Sequence, residues 1–381
     1  MARLRIVVGG MLAGVPGQGG ATWAVLQYVL GLRELGHKVC FVERVDPAGV
    51  LPRGTSLGQS LSAAYFRNVT RAHDLDADCA LLLAGTHDTV GATYAQLQRR
   101  CQQADVLLDL SGLLADEELT AAIPERVFVD LDPAFTQCWH DQGIDVGLSG
   151  HTRFVTVGLA IGDGNCPVPT CGVDWITTLQ PVVLSAWPTG QNVAHDGLTT
   201  VANWRGYGSV THEGVHYGQK AHSLRELIAL PERSQEPLVL ALEIHPDEQR
   251  DIAALRGHGW QLVDPVEVAG TPQAYQRFVQ GSKGEIGVAK SGYVRSRCGW
   301  FSDRSACYLA SGRPVVAQDT GFSRFLPTGD GLLAFSGEEQ ALRAIASVHR
   351  DHDRHRRAAR ALAEEHFASG RVLTRLLEAV T

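Results

Sequence analysis

The chain has 381 residues, 44% hydrophobic and 20% charged, with a formal net charge of −7. That length exceeds what one hydrophobic core usually supports, so two domains are expected. The acidic balance leaves no basic footprint for a nucleic-acid partner, and no run approaches the roughly 20 apolar residues of a membrane span.

The first residues, MARLRIVVGGML, lack the long apolar core of a signal peptide and fit a first strand better, so a cytoplasmic protein is expected. LRIVVG (residues 4–9) has buried-strand length, and a glycine-rich loop follows it. Residues 22–35 keep a helical period through Trp23, Leu26, Val29, Leu30 and Arg33, and Gly36 stops it. KVCFVE, CALLLAG, VLLDLSG and RVFVDLD then read as strands, with helices over 60–72 and 94–103. This alternation predicts a parallel sheet with helices on both faces. Residues 133–174 are irregular and rich in Gly, Pro, His and Cys, as functional loops often are. The linker is placed at about 181–197.

The pattern then restarts. LTTVANW, PLVLALEI, WQLVDP, GEIGVAK, RPVVAQ and GLLAF read as strands. Helices are expected over 219–230, 246–256, 272–279, 302–310, 338–349, 353–367 and 372–380. The eight cysteines show no C-x-x-C spacing and read as free, mostly buried thiols, so no metal is expected. His212, Glu213 and His216 lack the H-E-x-x-H spacing and read as exposed polar residues. The mixed charges of 349–367 read as a solvated helix face.

Two stretches carry phosphate-site signals. In GVPGQGGATWAVLQYVLGLRELGHKVCFVE (14–43), Gly17 and Gly19 fit the first two positions of a dinucleotide fingerprint, but Thr22 occupies the third. The loop is also long for that turn; Glu43, ending the second strand, would suit a ribose in that reading. A merely flexible loop is another reading. The favoured one lets backbone at Gly19 and Gly20 approach a ligand at a helix N-terminus, where free N–H groups and the dipole attract negative charge. In the second stretch, 289–335, Ser302 or Asp303 is a good N-cap. The helix start and the strand end at Asp319, Thr320 and Gly321 would then meet at the strands' carboxyl edge.

The layout SDRSACYLASGRPVVAQDTGF, followed by GLLAF, resembles the nucleotide-sugar half of GT-B glycosyltransferases. The opening glycine loop and LRELGHKV resemble their N-terminal half. The resemblance implies an α/β chain of two doubly wound Rossmann-like domains facing across a cleft, 1–185 on the acceptor side and 186–370 binding the nucleotide sugar. The segment 371–381 would pack back on the first domain. It implies transfer of a sugar from a nucleoside-diphosphate sugar, a co-substrate rather than a cofactor, to a small-molecule acceptor. The Gly, Ala and Arg bias suits a high-GC bacterium and a natural-product acceptor.

The donor would lie at Lys290, Ser302, Asp303, Arg304, Ser305, Asp319, Thr320 and Gly321, with Gly19 and Gly20 facing it. The acceptor would lie between 14–20 and 138–174, a segment holding His140, Asp141 and His151. The family neutralises its diphosphate leaving group with an Arg and a Lys and no metal. By position these are Arg205 and Lys290, or Lys220, with Arg304 a further option; each also reads as a surface cation. Should the reaction need a general base, His87, Asp109 and Asp132 stand at strand ends, where each reads equally as a cap or turn residue. The chain departs from the pattern of retaining members: Gly299 and Cys307 stand where two glutamates are common, and CGW (298–300) is out of register with the plant-type signature. A sugar-nucleotide epimerase of the same fold and an inactive nucleotide-binding homologue therefore stay open beside the transferase.

Overall fold

Apolar runs without polar alternation make strands covered on both faces, and those of the first half form an eight-stranded sheet. The computed structural model describes residues 3–190 and 192–381. The first sheet contains β1 (Arg5–Gly9), β2 (Lys38–Val45), β3 (Cys79–Leu83), β4 (Thr89–Gly91), β5 (Val106–Leu110), β6 (Glu125–Asp130), β7 (Arg153–Thr156) and β8 (Trp175–Thr177). Their order is β4-β3-β2-β1-β5-β6-β7-β8, parallel except where β3 meets β4. The chain moves outward from β1 and returns to pair β5 on its other side, which creates a switch point at the carboxyl edge.

The second half comprises β9 (His195–Asn203), a hairpin of β10 (Val210–His212) and β11 (Val215–Tyr217), then β12 (Leu238–Glu243), β13 (Gln261–Val263), β14 (Ser282–Gly287), β15 (Val315–Gln318) and β16 (Leu332–Phe335). Its parallel sheet runs β13-β12-β9-β14-β15-β16, with the switch point between β9 and β14. Among the described residues no helix is long and apolar enough to cross a membrane.

Among the differences from the sequence expectation, two change its elements most. Residues 133–174 hold a helix, Phe135–Asp141, and the strand β7, which extends the sheet. The helix follows Ala134 at φ 72°, a left-handed residue that no local pattern announces. The single helix expected over 219–230 is two, Lys220–Glu226 and Leu230–Arg233. Pro231 supplies the first turn of the second, a position where its missing N–H is harmless.

The helix Gly19–Glu34 joins the halves. Trp23 Nε1 donates to the Pro272 carbonyl at 2.8 Å, and Gln27 Oε1 accepts the Val183 N–H at 2.7 Å. The Trp23 and Trp187 rings meet edge-on at 5.0 Å. The last helix, Ser369–Val380, lies against the same helix at Gly31, where a Cβ would come within 2.7 Å of Leu373 and Ser369. One apolar cluster therefore runs from Val8 and Leu26 through Trp187 and Tyr275 to Leu309 and Leu376. Shared burial of this kind fixes the relative placement of the two sheets.

Candidate functional site

A cavity of about 400 Å³ takes its walls from residues beyond the carboxyl ends of β1 and β6 on one side and of β9, β12 and β14 on the other. Open α/β sheets bind ligands at this edge. Two helix N-termini meet there: Gly19–Glu34, entered through Gln18, and Asp303–Ala310, entered through Ser302. Neither cap residue bonds its helix through a side chain, and the first turn of Gly19–Glu34 carries no acid. Unpaired N–H groups and two positive dipole ends thus converge on one space. Asp303 opens the second helix, but burial pushes its carboxyl up from the usual carboxylate range, against the pull of Arg304.

The glycines of the first N-terminus are there for the partner half. A Cβ on Gly19 would sit 2.2 Å from the Thr271 carbonyl oxygen, and one on Gly20 would sit 3.0 Å from the Tyr275 ring. Both line the cavity, yet close packing between the halves already requires them to be small.

The most polar feature of the wall is Asp132, two residues beyond β6. Its backbone N–H donates to Asp130 at 3.0 Å. Asp130 is fully buried and holds Thr136, Gln137 and Thr156 at 2.7, 2.8 and 2.7 Å, which pins the loop. Asp132 Oδ1 accepts from Tyr293 Oη at 2.7 Å, from the Tyr207 hydroxyl, and from Lys290 Nζ at 3.4 Å. All three donors come from the second half and all address Oδ1, so Oδ2 keeps its lone pairs without a protein donor among the described residues. Burial pushes both tyrosine phenols up, so they stay protonated as donors. Burial also lowers Lys290, and Asp132 opposes that shift. The Lys290 ammonium lies 3.4 Å from the Tyr207 ring centroid, a cation–π contact. Trp300 stacks on Tyr293 at 4.2 Å and completes an aromatic wall.

Two further cations reach the cavity but are committed elsewhere. Lys220 Nζ donates to the Val288 carbonyl, and burial followed by Arg304 and Lys290 lowers its pKa well below the usual lysine value. Arg304 binds Glu285 at 2.5 Å and the Val201 carbonyl at 3.0 Å. Although burial opposes it, Glu285 holds this guanidinium firmly charged. Glu285 Oε2 has no partner, so the pair is an incompletely satisfied buried network beneath the site.

The structure brings Gly19, Gly20, Asp132, Lys220, Lys290, Ser302, Asp303 and Arg304 to one cavity and leaves the other sequence candidates outside it. His87 is exposed in the turn between β3 and β4, stacked on Tyr94 at 3.9 Å and 3.6 Å from Glu118. Asp109 is buried and accepts the Leu114 N–H at 3.0 Å, with His151 at 3.3 Å, which ties down the loop after β5. Arg205 pairs with Glu248 at 2.5 Å on the surface. Ser305 is buried one residue further along its helix. Asp319 accepts the Gly321 N–H at 2.9 Å and the Ser323 hydroxyl at 2.8 Å, and Thr320 binds the Trp300 carbonyl. A Cβ on Gly321 would meet the Arg297 carbonyl at 2.6 Å, so these three residues brace the loop that carries Trp300.

Gly299 and Cys307 have packing roles. Gly299 holds φ 78° against Ala160, and the Cys307 thiol lies buried 3.6 Å from Gln27 Nε2. Sequence reasoning missed Tyr207, Tyr293, Trp300, Gln180, Asn203 and Glu243 on the cavity wall. Asn203 and Glu243 end β9 and β12, so the strand-end rule that selected Lys290 covers them too. The aromatic residues follow only from tertiary folding.

Glu43 points into the opening loop, accepting from Ala13 at 2.8 Å and Gly14 at 2.5 Å, rather than toward a ribose site. Burial pushes its carboxyl up to about 7, against these N–H bonds. A folded-state pKa above the ordinary value of 4.5 means that the folded chain binds the extra proton between these values. The resulting stability is fully present below about 4.5 and is lost as pH rises through about 7. Wild type is therefore expected to lose on the order of 1–3 kcal/mol relative to Glu43→Gln between about pH 5 and 8. Thermal melts of both proteins across that range check it; a pH-independent difference would contradict it.

No protein-family model and no curated protein sequence matches the chain. Solved structures do. Anabaena HepE, solved with UDP-glucose, aligns at 11% identity over 98% of both chains with a TM-score of 0.59. A glycosyltransferase from Rickettsia africae aligns at 11% identity over 100% of this chain and 98% of its own, with a TM-score of 0.55. An alpha-glucosyltransferase solved with UDP and DNA containing an HMU base aligns at 12% identity over 100% of both chains, with a TM-score of 0.62. The likeness spans both sheets, and the chain has the two-sheet GT-B glycosyltransferase fold.

Proposed function

We propose that the protein is a glycosyltransferase that moves a sugar from a nucleoside-diphosphate sugar of the UDP class to a hydroxyl of a small-molecule acceptor. The observation that carries this is the convergence of two uncapped helix N-termini, Lys290 and a half-free Asp132 on one cavity. A diphosphate is the leaving group that such a wall suits. As the bond from the anomeric carbon to the diphosphate oxygen breaks, charge grows on the phosphates, and the helix N–H groups and the Lys290 ammonium stabilise it without a metal. Asp132 Oδ2 takes the proton of the attacking hydroxyl while Oδ1 stays fixed by Tyr207, Tyr293 and Lys290.

HepE and the alpha-glucosyltransferase were solved with UDP-glucose and with UDP, respectively, which supports a uridine donor. The second of these was also bound to DNA. Here the cations of the cavity are buried or paired within the protein, and the chain carries a net −7, which favours a small neutral acceptor.

Ligand-dependent stabilisation tests the reading, because a ligand bound only by the folded chain raises its melting temperature by mass action. UDP is expected to shift the melt with or without Mg²⁺, and a shift with NAD alone would overturn the proposal. Consumption of UDP-glucose with no acceptor, and with an isomerised sugar as product, would assign an epimerase instead.

A further inference from the structure

The first sheet has a second concave feature at its opposite edge. A cavity of about 470 Å³ opens where β1 and β2 begin and where the helices Gly19–Glu34 and Tyr94–Gln102 end. Its walls carry Arg3, Arg5, Arg33, Lys38 and Arg100, with Asp78 the only acid among the lining residues. On a chain of net charge −7 this is a pronounced local excess of positive charge.

Part of it has a structural explanation. Arg33 and Arg100 sit in last helical turns, where cations complement the dipole. They bond the Asp74 and Ala77 carbonyls at 2.9 and 2.7 Å. Arg3, Arg5 and Lys38 have no such reason. Among the described residues their charged ends meet neither a hydrogen-bond acceptor nor a carboxylate within ion-pair distance.

An independent observation concerns His37, which is only 7% exposed and lines the same cavity. Its Nδ1 accepts the Leu4 N–H at 3.1 Å, which places the ring proton on Nε2. That Nε2–H has no acceptor among the described residues, and it is open to solvent rather than sealed in the interior. A ring N–H on the cavity lining that lacks a protein acceptor, beside unpaired cations, suits an anionic acceptor.

We propose that this amino-edge cavity is a second ligand site, separate from the carboxyl-edge cavity, that binds a phosphoryl group through Arg5, Lys38 and His37. Arginine offers a planar fork that bonds two phosphate oxygens at once, lysine adds a point charge, and the neutral imidazole adds one N–H. The space admits a diphosphate-sized group. Its distance from the carboxyl edge makes it a docking or effector site rather than part of any transfer chemistry. The phosphoryl group can belong to a soluble molecule or to a lipid headgroup.

The test uses the full chain, with inorganic pyrophosphate titrated by calorimetry and co-sedimentation with phosphatidylcholine vesicles with or without phosphatidylglycerol. Pyrophosphate could also enter the carboxyl-edge cavity, so the component that survives Lys290→Ala is the one assigned here. Arg5→Ala/Lys38→Ala is expected to weaken it at least tenfold, and His37→Gln to weaken it several-fold. Arg350→Ala/Arg357→Ala removes the same charge from exposed positions on the second half and is expected to leave it unchanged. Pyrophosphate binding without vesicle binding assigns a soluble ligand. Recruitment by phosphatidylglycerol that the Arg5/Lys38 variant loses assigns a headgroup. Binding to neither probe, or equal losses in the two double variants, overturns the proposal. Melting curves of each variant confirm that the fold is intact.

Discussion

Replacing Asp132 with asparagine is expected to lower sugar transfer by about 10²–10⁴-fold, the usual worth of a positioned general base, while UDP still binds. The carboxamide is nearly isosteric, so its oxygen can still accept from Tyr207 and Tyr293, whereas its nitrogen cannot take a proton. The loss belongs in kcat rather than in KM for the donor, because Asp132 is assigned to the acceptor's proton and not to the diphosphate. Lys290→Ala gives the complementary split. It removes the ammonium assigned to the leaving group and weakens UDP binding as well as turnover. The two side chains touch at 3.4 Å, so their effects are expected to be non-additive in a double-mutant cycle. Tyr293→Phe deletes one of the donors that aim Oδ1 and is expected to fall between wild type and Asp132→Asn. Calorimetry with UDP and steady-state rates with UDP-glucose separate these outcomes. An Asp132→Asn protein that keeps most of its turnover would remove Asp132 from the mechanism.

Gly19→Ala is the second large expected effect. Its Cβ would lie 2.2 Å from the Thr271 carbonyl oxygen and 2.7 Å from that of Ala269. These are backbone atoms at the end of the helix Pro265–Ala269 and at the cap of the helix Pro272–Gly281, so neither can swing aside as a side chain would. Overpacking of this kind typically costs about 1–3 kcal/mol. The loss falls where the two halves meet, because Trp23 of the same helix donates to Pro272. A fall of several degrees in melting temperature and weaker UDP binding are expected together, since the displaced N-terminus also lines the cavity. Gly20→Ala is the internal control. Its nearest neighbour is the Tyr275 ring at 3.0 Å, which can tilt, so a milder defect is expected. Equal behaviour of the two variants would show that the contact is not what dictates glycine here.

The sequence by itself determined the architecture. Buried parallel strands read as unbroken apolar runs, and glycine stops and proline starts punctuate the helices. The main strands of both sheets, except β4, β7, β8 and the β10–β11 hairpin, are therefore legible without a structure. The strands that escaped are short and lie at or next to a sheet edge or in a hairpin, where three or four residues carry too little pattern. The strand-end rule also reached Asp132, Lys290 and the helix start at Ser302, because the carboxyl edge of such a sheet is fixed by topology.

Only the tertiary structure decided which strand-end groups are chemical and which are structural. Asp109 and Asp132 look alike in sequence, each closing an apolar strand with a carboxylate. One is buried and tied to the Leu114 N–H, and the other is held by tyrosines and a lysine that lie 75 to 161 positions away. The meaning of Gly19 likewise came from Thr271, far along the chain. Local sequence encodes backbone conformation, whereas the surroundings of a side chain are set by residues that approach it only when the two sheets pack, and it is those surroundings that fix its charge, its partners and its role.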